Sequence, residues 1–488
     1  MTTEKQHVEL TESSNDKKIA FATIASTSLE WYDIFIFSLA AALVMDTQYF
    51  GPLASDNPQI AAILSFATVG ISFIFRPLGA MIAGHFGDKL GRKIMMEATV
   101  FLMGISTFLI GLLPNYASWG LLAPIGVVVL RILQGLATGG MWGGAALMAV
   151  EHAPAKKRGW YGGFPQLGVP TGMLLAVLVY FIITAIAPDN AAFNSWGWRI
   201  PFLLSILIVG VGVWVRRGIE ENDTIKQVDA EDESEQVRLP IVEMFKTSWK
   251  PLIQGALVFA GNGVAGYMIA GGFVLNYLAK TPYTLNKQVI LLIVALTSLS
   301  WMATTLLAAW LSDRIGRKKV YLISFVFQAI WVAPMFLLFD KGGQLSQNGG
   351  DVSGYILIAV ALIVLSFPIG FNYGPQSAMF AEMFPTRIRY SGAALANAVG
   401  SIIGGGFAPM IAAALLASSY AKGMSHPSLL VAGYIILFTL IALVATLTLK
   451  DRTGAPLHGE DDDLANKQLD ETVHANDARH VTSELSGF

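Results

Sequence analysis

The sequence has no cysteine and few charged residues. Without cysteine among its 488 residues, disulfide bonds, thiolate metal sites and thiol nucleophiles are excluded. Only 14% of the residues are charged, against about 25% in a typical soluble domain, and the net charge of −2 gives no sign of nucleic-acid binding. By contrast, 54% of the residues are hydrophobic and 48 are glycine, which packed membrane helices tolerate. The composition therefore predicts an all-α membrane protein.

Twelve apolar stretches approach or exceed the roughly 20 residues that a helix needs to cross a bilayer. They predict spans at 19–45, 60–84, 94–113, 121–149, 160–187, 200–215, 251–279, 288–311, 319–339, 355–381, 390–418 and 428–449. The chain is then expected to divide into five parts: an N-terminal tail (1–18), a six-helix half (19–215), a central loop (216–250), a second six-helix half (251–449) and an acidic, disordered tail (450–488).

The distribution of basic residues predicts the orientation of these spans. Of 32 lysines and arginines, Arg76 and Arg131 fall inside spans, which leaves 30. With the N-terminus in the cytoplasm, 25 of those 30 lie on the cytoplasmic side, as the positive-inside rule requires. The first span is too long for the core of a signal peptide. We therefore expect a retained first span and two cytoplasmic termini.

Two sequence patterns occur once in each half of the chain. The segment GDKLGRK at 87–93 is similar to SDRIGRK at 312–318, and both lie between two spans. A glutamate followed seven residues later by an arginine also occurs twice, as Glu151 with Arg158 and Glu382 with Arg389. These pairs predict two related six-helix halves joined by the central loop.

The repeated motif is the signature of the major facilitator superfamily. Further segments resemble its metabolite:proton symporter family, and within it the shikimate-type transporters most: EWYD at 30–33, RPLG at 76–79, GHFGD at 84–88, RILQG at 131–135, WGWRIPF at 196–202 and EMFPT at 382–386. The resemblance implies a monomeric carrier in a bacterial inner membrane that imports a small organic acid with protons by alternating access. It implies no cofactor and no metal.

Ionisable groups inside the spans are the first candidates for function, because each costs at least about 2.5–3.5 kcal/mol on insertion scales. Glu30 and Asp33 share one face of the first span near its middle, and Arg131 reaches a similar depth in the fourth. We expect Glu30 or Asp33 to take the coupling proton. The alternative is a permanent structural ion pair with Arg76 or Arg131.

Arg131 is the predicted partner of a substrate carboxylate, because a guanidinium group can donate two parallel hydrogen bonds to it. A substrate bound to Arg131 would weaken the effect of that arginine on the pKa of a neighbouring carboxylate. Binding of the substrate and binding of the proton are therefore expected to be linked. The other predicted substrate contacts are Gln134, Tyr32, Trp142, Arg76 and Asn262. For Trp142, simple packing is an equal alternative. Structural hydrogen bonds are favoured for Asn276, Asn372, Tyr373, Gln376 and Asn397.

One segment departs from the family pattern. Residues 139–144 read GGMWGG, where relatives usually carry a glutamate in GGEWGG. Met141 therefore removes one group that could bind a proton or a cation. The identity of the substrate consequently stays open between an organic acid and a zwitterionic osmolyte such as proline or betaine.

By resemblance, charged residues at the cytoplasmic ends of the spans form an ion-pair latch that gates the cavity. These are Asp88, Arg92, Glu151, Arg158, Asp313, Arg317, Glu382 and Arg389. Gly91 and Gly316 permit the tight turns within the repeated motif. A channel and a membrane enzyme are disfavoured, since a channel should lack a latch and no catalytic pair is evident. An uncoupled facilitator remains an alternative.

Overall fold

The computed structural model describes residues 23–206, 210 and 248–457, except for 26, 56, 91, 140, 141, 152, 188, 271, 281, 348–350 and 456. Regular structure in these residues is helical, with no strand. The predicted tail at 1–18, most of the central loop and most of the acidic tail lie outside the described residues.

Six helical units make up the first half of the chain. They are α1 (Thr23–Gln48), α2 (Pro58–Leu90), α3 (Arg92–Leu112), α4 (Leu122–Thr138, continued by Trp142–Glu151), α5 (Arg158–Ile186) and α6, described over 200–206. Short helices at Tyr116–Trp119 and Asn190–Ser195 lie in the connections. In the second of these, the Asp189 side chain accepts a hydrogen bond from the Ala192 amide, which caps the helix.

Six further helical units follow the central loop. They are α7 (Trp249–Ala270 and Phe273–Ala279), α8 (Lys287–Ile315), α9 (Arg317–Ser346), α10 (Val352–Tyr373 and Gln376–Met383), α11 (Thr386–Gly400, Ser401–Gly406 and Ala408–Ala421) and α12 (Ser428–Thr448). The described helices therefore fall into two groups of six, as the sequence predicts.

Several spans that the sequence predicts as continuous are interrupted in the structure. In α7, Gly272 adopts a φ of 77°, a left-handed conformation that ends one helical piece before the next begins. Gly374 and Pro375 separate the two pieces of α10, and a π-helical segment lies within α11. Gly316, with a φ of 96°, makes the predicted tight turn between α8 and α9.

The exposed outer faces of the helices are strongly apolar. Eight of the described helices are long and apolar enough to cross a membrane. Residues such as Leu122, Ile186 and Ile330 are each more than 60% exposed, as expected for a surface that faces lipid rather than water. The core contains α1, whose residues Phe35 and Phe37 are fully buried. The polar side chains of α1 are therefore enclosed by other helices.

Candidate functional site

A chain of hydrogen bonds joins three helices of the first half. Thr107 of α3 donates through its hydroxyl to Asp33 Oδ2 of α1 at 3.2 Å. Gln134 of α4 donates from Nε2 to the Thr107 hydroxyl at 2.6 Å, and its Oε1 accepts from Arg131 Nη1 at 2.8 Å. Asp33 and Arg131 are thus linked through two neutral side chains.

The guanidinium group of Arg131 is almost fully engaged within the first half. Its Nε donates to the carbonyl oxygen of Thr68 at 3.1 Å, and its Nη2 donates to that of Val69 at 3.0 Å and to the Ser72 hydroxyl at 2.7 Å. With the bond to Gln134, four of the five N–H donors have partners. The guanidinium carbon also lies 4.1 Å from the centre of the Phe37 ring. Arg131 therefore ties α4 to α2 and α1.

Arg76 has a different environment, although it is also buried. Its guanidinium carbon lies 4.0 Å above the centre of the Phe73 ring, and its Nε has no hydrogen-bond partner. Tyr267 of α7 packs edge-on against the same ring, with centroids 5.3 Å apart, and its hydroxyl also lacks a partner. Two unpaired polar groups, one from each half, thus flank Phe73.

A small cavity of about 10 Å³ lies between Asp33, Arg76 and Arg131, within the first half. Its lining residues are Asp33, Ile34, Ser72, Arg76, Met103, Arg131, Gln134 and Thr138. This volume is close to the minimum for a single water molecule. The described conformation is therefore closed around the polar groups, and a larger molecule could enter only if the helices moved apart.

The remaining predicted residues of the first half are placed as follows. Glu30 is 6% exposed and lies one turn before Asp33 in α1. The Tyr32 hydroxyl donates to the carbonyl oxygen of Pro201 at 3.2 Å, so Tyr32 packs α1 against α6 and lies apart from the cavity lining. The side chain of Trp142, and Met141 altogether, lie outside the described residues.

In the second half, Asn262 pairs with Asn372 of α10. The Nδ2 of Asn372 donates to Oδ1 of Asn262 at 3.4 Å, while Asn262 Nδ2 and Asn372 Oδ1 are buried without partners. Gln376 Nε2, one turn further along, is also unpartnered. The second half thus contributes neutral amide groups to the interior, and their remaining hydrogen-bonding capacity is unused.

Six of the eight predicted latch residues meet at one end of the bundle, called here the latch end. Asp313 accepts hydrogen bonds from the amides of Gly159 and Trp160, each at 2.8 Å, and so binds the first turn of α5. Arg317 lies 2.6 Å from the same carboxylate. Asp313 therefore connects the second half of the chain to the first.

Two ion pairs add to this connection. Glu382 is 3.3 Å from Arg317 and 4.0 Å from Arg158, and Arg389 is 3.2 Å from Glu151. The Arg158–Glu382 and Arg389–Glu151 pairs both cross between the halves. The side chains of the other two predicted residues, Asp88 and Arg92, lie outside the described part of the structure.

The segment after α12 also packs on the latch end, which the sequence analysis did not anticipate. Arg158 donates to the carbonyl oxygen of Ala455, and Arg389 Nη2 donates to that of Leu457 at 3.0 Å. The amide of Gly454 donates to Glu382 at 3.3 Å. Although it follows Lys450, this part of the predicted disordered tail is held by the same arginines as the latch.

The opposite end of the bundle, where α1 and α7 finish, is closed by fewer ion pairs. Hydrogen bonds from α8 to the first half add to this closure, from Lys287 to Asn190 Oδ1 at 3.4 Å and from Gln288 Nε2 to the Thr184 carbonyl oxygen at 2.9 Å. Lys280 forms an ion pair with Asp46 of α1. Asn276 donates from Nδ2 to the carbonyl oxygen of Ala42 at 3.1 Å. A side chain on Gly272 would lie 2.5 Å from the carbonyl oxygen of Ser38, so glycine permits this close approach of α7 to α1.

Several residues that form these contacts could not be identified from the sequence. Thr107, Ser72 and Tyr267 are ordinary polar residues within apolar spans, and nothing in their local sequence distinguishes them. The sequence does show Asp46 and Lys280 as charged residues at the predicted ends of two spans. It does not show that they pair, because they lie 234 positions apart in the chain.

The comparisons with known proteins identify the class. Residues 18–453 match the model of the family described as "Sugar (and other) transporter". The chain therefore belongs to this family of membrane transporters and is not an enzyme, as the sequence predicts.

Individual relatives refine the resemblance. The chain is 36% identical to a putative metabolite transport protein of Haemophilus influenzae, over 91% of this chain and 98% of the relative. It is 35% identical to the shikimate transporter of Escherichia coli, over 91% and 96%. A proline/betaine transporter of Escherichia coli is 29% identical, over 91% and 85%. The predicted resemblance to shikimate-type transporters is confirmed.

Solved structures confirm the fold. The major facilitator superfamily proton:xylose symporter XylE, with bound 6-bromo-6-deoxy-D-glucose, matches with a TM-score of 0.65 and 18% identity, over 91% of this chain and 98% of XylE. An inward-open structure of XylE from Escherichia coli matches with a TM-score of 0.63. The all-α fold of two six-helix halves is therefore the major facilitator fold.

Proposed function

We propose that this chain is a proton-coupled symporter that imports a small organic acid by alternating access. The observation that carries the proposal is the buried chain of hydrogen bonds from Asp33 through Thr107 and Gln134 to Arg131. It connects a carboxylate that can gain or lose a proton to Arg131, a cation that lines the same cavity.

Asp33 has the environment expected of a proton carrier. It is 3% exposed, and its Oδ1 has no hydrogen-bond partner. The described residues offer Asp33 no ion pair, only the Thr107 hydroxyl at 3.2 Å. Protonation would therefore not require a strong ion pair to break, and charge at Asp33 would act on Arg131 nearby. Glu30, also buried in α1, is the second candidate for the proton.

The latch end supports alternating access as the transport mechanism. Its ion pairs join the two halves directly, so opening this end requires them to break while the opposite end stays closed. The basic loops near the latch support a cytoplasmic location for it, with both termini on that side. Together with the bacterial relatives, this supports a location in the inner membrane, where we expect the carrier to act as a monomer.

An organic acid is the favoured substrate because of the relatives and the cations in the cavity. The shikimate transporter is a nearer relative than the proline/betaine transporter, at 35% against 29% identity. Arg76 and Arg131 both line the cavity, and an arginine suits a carboxylate. Uptake of a zwitterionic osmolyte is the second candidate, supported by the proline/betaine relatives.

Uptake into liposomes that contain the purified protein tests this proposal. With shikimate outside and an inward-directed proton gradient, we expect accumulation above equilibrium, and only equilibration when the gradient is absent. Uptake that is indifferent to the gradient would point to an uncoupled facilitator. Proline and glycine betaine in parallel assays test the osmolyte alternative, and accumulation of these in place of shikimate would favour it.

The variant Asp33→Asn tests the assignment of the proton. It removes the titratable group and keeps the shape of the side chain. We expect gradient-driven accumulation to be lost, while exchange of labelled for unlabelled substrate across the membrane continues. Glu30→Gln is the matched variant one turn away. An equal loss of accumulation and exchange in Asp33→Asn would instead assign Asp33 to binding or structure.

A further inference from the structure

The two arginines that line the cavity differ in how many of their N–H donors have hydrogen-bond partners. Arg131 donates to two carbonyl oxygens of α2, to a serine hydroxyl and to Gln134. Arg76 is 7% exposed, and its Nε is buried without a partner. Because a buried cation is unstable without hydrogen bonds, the unused donor of Arg76 requires an explanation, whereas Arg131 requires none.

Tyr267 supplies a second unused donor beside Arg76. It belongs to α7, in the other half of the chain, and is 2% exposed with its hydroxyl unpartnered. Its ring and the guanidinium group of Arg76 both pack on the ring of Phe73, with the centres 5.3 Å and 4.0 Å away. Two buried donors, one of them charged, therefore meet at one aromatic ring on the boundary between the halves.

We infer that Arg76 and Tyr267 together bind the carboxylate of the substrate, and that Arg131 is a positioning residue. This inference rests on the proposed function and reassigns the anion contact within the cavity. A carboxylate accepts several hydrogen bonds, so it can take the guanidinium N–H of Arg76 and the phenol O–H of Tyr267 at once. Arg131 could offer a forked contact only by giving up charge-assisted hydrogen bonds to the carbonyl oxygens of Thr68 and Val69 and to the Ser72 hydroxyl.

The assignment also accounts for a link between binding and closure. Arg76 lies in the first half and Tyr267 in the second, so a carboxylate held by both joins the halves at the centre of the bundle. The closed cavity of about 10 Å³ beside Arg76 is too small for an organic acid and is lined only by residues of the first half, so the helices around Arg76 must separate to admit the substrate. Reclosure around the bound anion then brings the two donors to the same group.

Binding of shikimate and of its uncharged methyl ester to the purified full-length protein tests this. The wild type should bind the acid more tightly than the ester. Arg76→Lys keeps the positive charge but loses the planar fork, and we expect it to weaken binding of the acid by roughly tenfold and that of the ester much less. Arg131→Lys, the matched control, should preserve the preference for acid over ester, even if it weakens both and lowers the thermal stability.

Tyr267→Phe provides a second measurement that does not change charge. Loss of the hydroxyl should weaken binding of the acid several-fold. Tyr434→Phe is the control, since it removes another buried, unpartnered hydroxyl from α12, on a ring that packs against Phe438 rather than against Phe73. Thermal unfolding and size-exclusion chromatography confirm that each variant folds. Arg76→Gln replaces Arg76→Lys if the lysine variant does not fold.

The outcomes separate this inference from the proposed function. If Arg131→Lys abolishes the preference for the acid while Arg76→Lys retains it, the inference is wrong and the proposed function stands. Unchanged affinity for the acid in Tyr267→Phe also overturns it. A wild type that does not bind shikimate more tightly than its methyl ester overturns the proposed organic-acid function, and the inference with it.

Discussion

The two ends of the helix bundle are closed by different kinds of contact. At the latch end, Glu382 accepts hydrogen bonds from Arg317 and the amide of Gly454 and forms an ion pair with Arg158, and the Glu151–Arg389 pair adds a second link between the halves. At the opposite end, the ion pair of Lys280 with Asp46 is supplemented by close backbone packing around Gly272. Closure depends mainly on ion pairs at one end, and on a single ion pair, hydrogen bonds and close backbone packing at the other.

This difference implies that the ends respond differently to the same perturbation. Buried ion pairs are sensitive to the loss of one partner, because the remaining charge is left without compensation. A partly exposed pair contributes less, and backbone packing does not depend on charge. We therefore expect single charge-removing variants to open the latch end more readily than the opposite end.

The largest effect is expected for Glu382→Gln. This variant leaves Arg317 and Arg158 without their shared carboxylate, both at the latch end. Because the wild type has no cysteine, a single Ser377→Cys on the latch side of α10 can report accessibility to a thiol reagent. We expect labelling to rise by at least about tenfold. Glu151→Gln, at a more exposed carboxylate, should give a smaller rise. If Ser377→Cys were labelled equally fast with and without Glu382→Gln, Glu382 would not be needed to keep the latch end closed.

A moderate effect is expected for Asp46→Asn at the opposite end. It removes the ion pair with Lys280, whose side chain is 26% exposed, but leaves the contacts of Asn276 and Gly272 in place. A cysteine at Ser38, beside Gly272, should then label about fivefold faster, which corresponds to roughly 1 kcal/mol. A larger increase in labelling rate for Asp46→Asn than for Glu382→Gln would show that the opposite end, and not the latch end, depends more on its ion pair.

The smallest effect is expected from ionic strength. Raising NaCl from 0.1 to 1 M shortens the screening length from about 10 Å to about 3 Å, but buried pairs are screened weakly. The Glu151 side chain is 31% exposed, so labelling at Ser377→Cys should rise by no more than about twofold. The Ser38→Cys reporter should change less. A large increase with salt would show that the latch is held by solvent-exposed charges.

The positions of charges in the sequence are enough to indicate most of the residues that meet at the latch end. The repeated motif and the repeated spacing of Glu and Arg located six residues that the structure brings together: Glu151, Arg158, Asp313, Arg317, Glu382 and Arg389. The contacts of the segment after Lys450 were not foreseen, because an acidic, polar stretch has no local pattern that indicates where it packs. Nor did any pattern reveal the Asp46–Lys280 pair.

Within the cavity, sequence reasoning found the charged groups but not their partners. Asp33, Arg76 and Arg131 stand out because ionisable residues are costly inside a membrane helix. Their environments depend on Thr107, Ser72 and Tyr267, which are distant in sequence and chemically ordinary. The depth and the guanidinium group of Arg131 favour it as the carboxylate contact, but the structure shows most of its donors already engaged with α2.

The sequence by itself determined the class of protein. Long apolar stretches, basic loops and two related halves follow from the composition and order of the residues, because a bilayer selects helices by length and hydrophobicity. Only the tertiary structure decided which donors remain free, where α7 breaks and what closes each end. Those features depend on contacts between the halves, where Phe73 meets Tyr267 and Glu151 meets Arg389, and such contacts exist only when the helices pack.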